Sequence, residues 1–136
     1  MEDRIDVLRD MLTETRRLID GLDGPHLSLP TPCEDFDVAA LLDHMCTWIA
    51  VFDATANDRP ATVDPNTFHL ESGWSEHFGS AADGVVSGLR DRGVEREMVM
   101  TTNPIPGAMV LDMLTMEYIG HGIDLAGLAQ GGEERA

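Results

Sequence analysis

The sequence predicts an all-α fold, a four-helix bundle with one long crossover connection. Three observations carry that expectation. Four segments, at about residues 3–22, 38–56, 72–92 and 107–129, repeat apolar residues at helical spacing. All seven prolines fall between those segments, where a missing N–H and a fixed φ do no harm. The connection between the second and third segments, residues 57–71, is long enough to cross a bundle.

In the first helix Ile5, Leu8, Leu12, Leu18, Ile19 and Leu22 form one stripe, with Asp, Glu and Arg opposite. Gly21 and Gly24 close it. Residues 23–36 are a loop, because Pro25, Pro30 and Pro32 exclude helix. Asp37 reads as the N-cap of the second helix, with Phe36 as a hydrophobic staple. Leu41, Leu42, Met45, Trp48, Ile49 and Phe52 give that helix its apolar face, and His44 lies within it. The third helix uses Trp74, Phe78, Ala81, Ala82, Val85 and Leu89. Gly79, Gly84 and Gly88 make its intrinsic propensity the weakest of the four.

Residues 93–106 read as extended or looped, with Met98 and Met100 alternating with polar neighbours. The fourth helix starts near Gly107 and carries Met109, Val110, Met113, Met116, Leu125 and Leu128. Its methionines are expected to fill the core. Gly131-Gly132 is expected to end it, giving one domain over residues 1–130 and a short disordered tail over 131–136. There is no internal repeat and no low-complexity segment.

Composition bounds the function. A chain of 136 residues that is 43% hydrophobic suits one domain with a real core. The net charge of -16, with arginine as the sole basic residue type, argues against nucleic acid and anionic membranes as partners. No uninterrupted apolar run reaches the ~20 residues that span a bilayer. The N-terminus lacks the basic and apolar regions of a secretory signal. A cytoplasmic protein is expected. The two cysteines, Cys33 and Cys46, have neither zinc-ribbon nor thioredoxin spacing. Cys46 reads as a small buried hydrophobe, and Cys33 is a nucleophile by residue type only. Phosphate-binding glycine loops and nucleophile elbows are absent from the sequence.

The chemistry concentrates in Met116-Glu117-Tyr118-Ile119-Gly120-His121-Gly122-Ile123-Asp124. Glu117 and His121 are one helical turn apart and share a face. With His44 they make three polar groups among large apolar residues, which is costly unless they are paired or coordinated. One divalent cation satisfies all three. Two histidines and a carboxylate leave a coordination position open, as catalytic zinc sites do, and the same donors suit nickel or iron. Asp124, three residues past His121, is placed to accept from a ligand histidine or to anchor the helix end. The rival reading keeps the three side chains as a hydrogen-bonded cluster without a metal. His26, His69 and His77 are expected at the surface.

Two motifs resemble a known family. Pro30-Thr31-Pro32-Cys33, Phe36-Asp37-Val38 and Leu41-Leu42 followed by His44 resemble the opening motif of the actinobacterial DinB-like proteins related to mycothiol-dependent maleylpyruvate isomerase. Glu117, then His121-Gly122-Ile123-Asp124-Leu125-Ala126, is similar to that family's second motif. The resemblance covers about residues 3–130. It implies a DinB-like four-helix bundle with a divalent metal, usually zinc, on His44, Glu117 and His121. It also implies a low-molecular-weight thiol such as mycothiol as cofactor, and transferase or isomerase chemistry on a small electrophile. The tryptophans common in both motifs are Phe36 and Ile123 here, which predicts an altered pocket wall. The isomerase has a second, C-terminal domain that contributes to its active site, whereas this sequence stops at residue 136. The alternative is therefore a non-catalytic metal-binding bundle, a sensor or subunit, including a homodimer.

Overall fold

In the computed structural model the described residues are 2–22, 27–30, 37–61, 63–64, 66–100 and 102–135, with side chains described between residues 3 and 127. The elements in chain order are α1 (Glu2–Asp20), α2 (Val38–Ala56), α3 (Trp74–Arg92), β1 (Glu97–Val99), β2 (Pro104–Pro106) and α4 (Gly107–Arg135). The fold is all-α, with four helices and one small hairpin among the described residues.

Each boundary has a local cause. Asp37 caps α2, its carboxylate accepting from the Ala40 N–H at 2.8 Å. Leu29 and Leu27 offer carbonyls to the Val38 and Ala39 N–H groups. Phe36 and Gly24 lie outside the described residues. α3 begins two residues later than the sequence suggests, because Gly73 adopts a left-handed φ of 78°. Residues 97–106, expected to be extended or looped, pair Glu97 with Pro106, Met98 with Ile105 and Val99 with Pro104. α4 runs to Arg135, past the stop expected at Gly131-Gly132. A glycine costs a helix about 1 kcal/mol but keeps its N–H, so it permits an ending without forcing one.

The core is built from one stripe of each helix. Ile5, Leu8, Leu12 and Ile19 of α1 meet Leu41, Leu42, Met45 and Ile49 of α2, Phe78, Val85 and Leu89 of α3, and Leu111, Leu114, Tyr118 and Leu125 of α4. The expected stripe of α4 is wrong in one respect. Met109, Met113 and Met116 are 50%, 38% and 75% exposed. The α4 sequence is apolar on more than one face, so two stripes compete for the core. Leu111, Leu114 and Tyr118 fill it, and the methionines are left at its edge.

The helices do not pack evenly. The closest pairs are α2–α3, α1–α3 and α1–α4. Between α2 and α3 two of the three glycines that weaken α3 have a use. A Cβ on Gly88 would lie 2.9 Å from the Ala56 carbonyl oxygen, and one on Gly84 would collide with the Asp53 carboxylate. Asn57 fills the gap, donating to the Gly84 carbonyl at 3.0 Å. The fourth seam, α2–α4, is wider and is bridged by side chains. Tyr118 donates its hydroxyl to the Met45 carbonyl at 3.2 Å there. Of the described helices, only α2 has the length and apolar composition of a membrane span, and 61% of that window is buried in the bundle.

Replacing Gly88 with alanine is expected to destabilise the protein. Overpacking against a backbone carbonyl costs about 1–3 kcal/mol, which outweighs the ~1 kcal/mol that alanine gains as a helix former. Urea denaturation of Gly88→Ala beside an exposed control, Gly120→Ala, measures it, since a Cβ on Gly120 meets nothing within 4 Å.

Candidate metal centre

The three side chains picked out from the sequence converge across the α2–α4 seam. His44 comes from α2, and Glu117 and His121 come from successive turns of α4. Glu117 Oε1 lies 3.2 Å from His44 Nε2 and 3.1 Å from His121 Nε2. The imidazoles meet edge to face with centroids 5.1 Å apart. One donor atom from each residue falls within 4.8 Å of the others. Side-chain exposures are 28% for His44, 36% for Glu117 and 14% for His121, so the cluster is sheltered but reachable.

The donor set fits a cation on two grounds. Nitrogen and oxygen ligands held at about 2.1 Å in tetrahedral geometry stand about 3.4 Å apart, close to the 3.1 and 3.2 Å seen here. The second ground is His121 itself. Its Nε2 faces Glu117, and its Nδ1 is buried without a hydrogen-bond partner among the described residues. Asp124 Oδ2 stands 3.7 Å from that Nδ1. A neutral imidazole carries one N–H, so its other nitrogen aims a lone pair at a carboxylate. An imidazolium, or a cation between Nε2 and Glu117 with the proton on Nδ1, removes the conflict.

A pocket of about 550 Å³ opens onto the cluster, lined by His44, Trp48 and Phe52 of α2, Met113, Met116 and Glu117 of α4, and Met100 beside β1. Phe52 serves both the core, as the sequence predicts, and the pocket wall, whereas Met113 and Met116, expected in the core, stand at the pocket's edge. The helical spacing holds the missing signal: Trp48 and Phe52 are one and two turns beyond His44, and Met113 is one turn before Glu117.

The fold that positions these residues is shared with known proteins. The sequence matches the model of the mycothiol maleylpyruvate isomerase N-terminal domain over residues 8–126. The chain belongs to that family. Its fold is similar to that of a mutant of the mycothiol-dependent maleylpyruvate isomerase, with a TM-score of 0.72 and 15% identity over 91% of this chain and 60% of that one. It is also similar to a DinB-like protein from Bacillus subtilis, with a TM-score of 0.71 and 15% identity over 96% of this chain and 92% of that one. A DinB-like protein from Bacillus cereus gives a TM-score of 0.68 and 16% identity over 98% and 93% of the two chains. The likeness is one of fold, and the architecture is a DinB-like bundle. This chain spans 60% of the isomerase's length. No curated protein matches the sequence.

Within this family fold, neighbouring residues fall into place. Ile123, expected on the pocket wall, is 68% exposed and lines a groove between α1 and α4 instead. His69 is at the surface as expected, but His77 is not. Its Nδ1 is buried, its ring packs 5.1 Å from Phe68, and burial pulls its pKa below the usual histidine range. It is not part of the metal-capable group. Cys46 is buried, and burial with the nearby Asp43 charge pushes its thiol up to about 12, so it is no nucleophile at neutral pH. Cys33 and His26 lie outside the described residues.

Asp43, beside His44, anchors the crossover. Its carboxylate accepts from the Leu70 N–H at 3.0 Å and the Trp74 indole N–H at 2.9 Å, and it meets His69 Nδ1 at 2.6 Å. The hydrogen bond and charge of Asp43, with a smaller push from Glu71, raise the His69 pKa. A raised folded pKa adds stability that is complete below the ordinary histidine pKa and fades as pH rises through the folded one. His69→Ala is therefore expected to lower the melting temperature near pH ~6 and to change it little above pH ~9. Thermal melts of both proteins across that range give the result, and a loss that grows with pH would contradict the ion pair.

Proposed function

We propose that the chain holds one divalent metal ion on His44, Glu117 and His121 and uses it in thiol-dependent chemistry on a small electrophile. The activity is that of a transferase or an isomerase, with mycothiol or a thiol like it as the cofactor. Zinc is the metal of choice, although nickel or iron suits the same donors. A cytoplasmic setting, where small thiols stay reduced, belongs to this reading.

The observation that carries it is the position of His121, between Glu117 and Asp124 with a buried Nδ1 that has no hydrogen-bond partner among the described residues. A divalent cation supplies the Lewis acidity that lets a thiol ionise at neutral pH. The chain's own residues do the rest. His44 and His121 offer neutral nitrogen lone pairs, and Glu117 contributes a negative charge as a ligand, not as a base. Asp124, 3.7 Å from Nδ1, would orient the His121 ring as the acceptor on its outer side. The apolar pocket walls exclude water from the reacting sulfur. That sulfur forms its bond to carbon with its own electron pair, and its proton goes to solvent. In transfer, the displaced pair departs with the leaving group. In isomerisation, the π pair moves onto the conjugated acceptor and returns as the sulfur is expelled.

A non-catalytic sensor or subunit, including a homodimer, has one observation in its favour. Val7, Ile119 and Ile123 are 56%, 47% and 68% exposed along the α1–α4 groove. The pocket that opens onto two of the three ligands favours the enzyme, since a purely structural site has no need of an open side.

Elemental analysis of untagged protein is expected to find about one metal per chain, lost in His44→Ala. Free zinc at a hundred times its Kd is expected to stabilise the wild type by about 2.7 kcal/mol. No metal in either protein, and no stabilisation by zinc, would sink the proposal. Asp124→Ala tests the outer carboxylate separately. Zinc affinity by competition with a chelating dye is expected to fall about 10- to 100-fold while one metal per chain remains.

A further inference from the structure

We infer that the pocket beside the cluster selects an uncharged electrophile with an apolar body, aromatic or branched, and rejects dicarboxylates. The inference deepens the proposed function, and it rests on that reading only in calling the ligand a substrate.

Charge comes first. The polar groups lining the pocket are His44 and Glu117, and its other walls are Trp48, Phe52, Met100, Met113 and Met116. No arginine is among its described lining residues. A divalent cation with one carboxylate ligand and one thiolate has no positive charge left over. A substrate carboxylate would then sit beside Glu117 with nothing to offset it, inside a chain of net charge -16. Two arginines of the neighbouring segments are already engaged. Arg59 lines an adjoining pocket that shares Met100, where Asp58 and Glu97 accompany it. Its guanidinium meets Asp53 at 3.1 Å. Arg96 pairs with Asp58 at 2.7 Å.

Shape and chemistry agree. A volume of about 550 Å³ is within the range that encloses a small ligand. Two aromatic rings and three thioethers form a polarisable wall. Methionine adapts to irregular partners and makes favourable sulfur–ring contacts. Met113 and Met116 are 38% and 75% exposed at the pocket edge, so apolar surface is left for a ligand to cover.

The test uses the full chain, with and without zinc, and Nile red as a neutral apolar probe. One Nile red is expected to bind per chain in both states. The apolar thiol 2-phenylethanethiol is expected to displace it at least ~10-fold more effectively than the dicarboxylate mercaptosuccinate, a difference of about 1.4 kcal/mol. Met113→Arg, at a partly exposed site that tolerates a long side chain, is expected to abolish Nile red binding and, by titration calorimetry, to tighten mercaptosuccinate binding. Ile123→Arg, in the α1–α4 groove, is expected to change neither. Equal displacement by the two thiols, or Nile red lost in Ile123→Arg and kept in Met113→Arg, would overturn the inference. An unchanged thiol ranking in a chain that takes up no zinc would support the apolar pocket and defeat the metal-dependent function.

Discussion

One imidazole held between two carboxylates is the constraint around which this bundle is arranged. His121 is placed by helical geometry alone: Glu117 lies one turn before it and Asp124 one turn after it. A helix cannot separate side chains at those spacings. The burial of His121, at 14% exposure, removes the water that would otherwise satisfy its spare nitrogen. A positive charge there would give both carboxylates a partner, which is what the proposed metal supplies. His44, brought across from α2, turns a local pair into a three-donor cluster with an open side.

The rest of the fold keeps that cluster in register. Glycines in α3 let it approach α2 closely, so α2 is fixed from behind. Asp43 ties the same helix to the crossover through Leu70, Trp74 and His69. Tyr118, buried and edge-on to Phe78 with centroids 5.6 Å apart, sets the depth of α4. Its hydroxyl reaches the backbone of α2 at Met45, the residue next to His44. α2 and α4 are thus each held by the other helices and are linked to each other by the Tyr118–Met45 and His44–Glu117 contacts. That arrangement leaves their shared seam wide enough for a pocket. Residues adjacent to two of the cluster's members, Asp43 and Tyr118, carry structural links, so position and chemistry are specified by neighbouring letters of the sequence.

Much of this was legible in the sequence, for physical reasons. Helix limits are punctuated by Pro, Gly and a capping Asp, and α2 begins and ends at the residues expected. The cluster was legible because its members stand out as polar groups on apolar faces. The pocket was not, because its walls are apolar residues on an apolar helix. In α4, periodicity offers two stripes, and only packing chooses Leu111, Leu114 and Tyr118 over Met109, Met113 and Met116. His77 misled for a related reason. An amphipathic position predicts exposure, but Phe68 from the crossover folds over it, and no periodicity within α3 announces a contact made by a loop. Phe36 and Cys33, part of the opening motif, lie outside the described residues.

The division of α4 into two apolar stripes bears on function. An exposed methionine is less costly than an exposed leucine of similar area, because its thioether is polarisable and its chain is free to adapt. A site that must meet an apolar ligand, release it and stay soluble between turnovers is better edged with such residues than with branched ones. The buried stripe carries leucine and tyrosine, where fixed shape favours a single packed state. The seam stripe carries methionine, where adaptability favours binding. The same helix therefore separates buried leucine and tyrosine from exposed methionine at positions only one or two residues apart, and Glu117 stands between Met116 and Tyr118 where the two stripes meet.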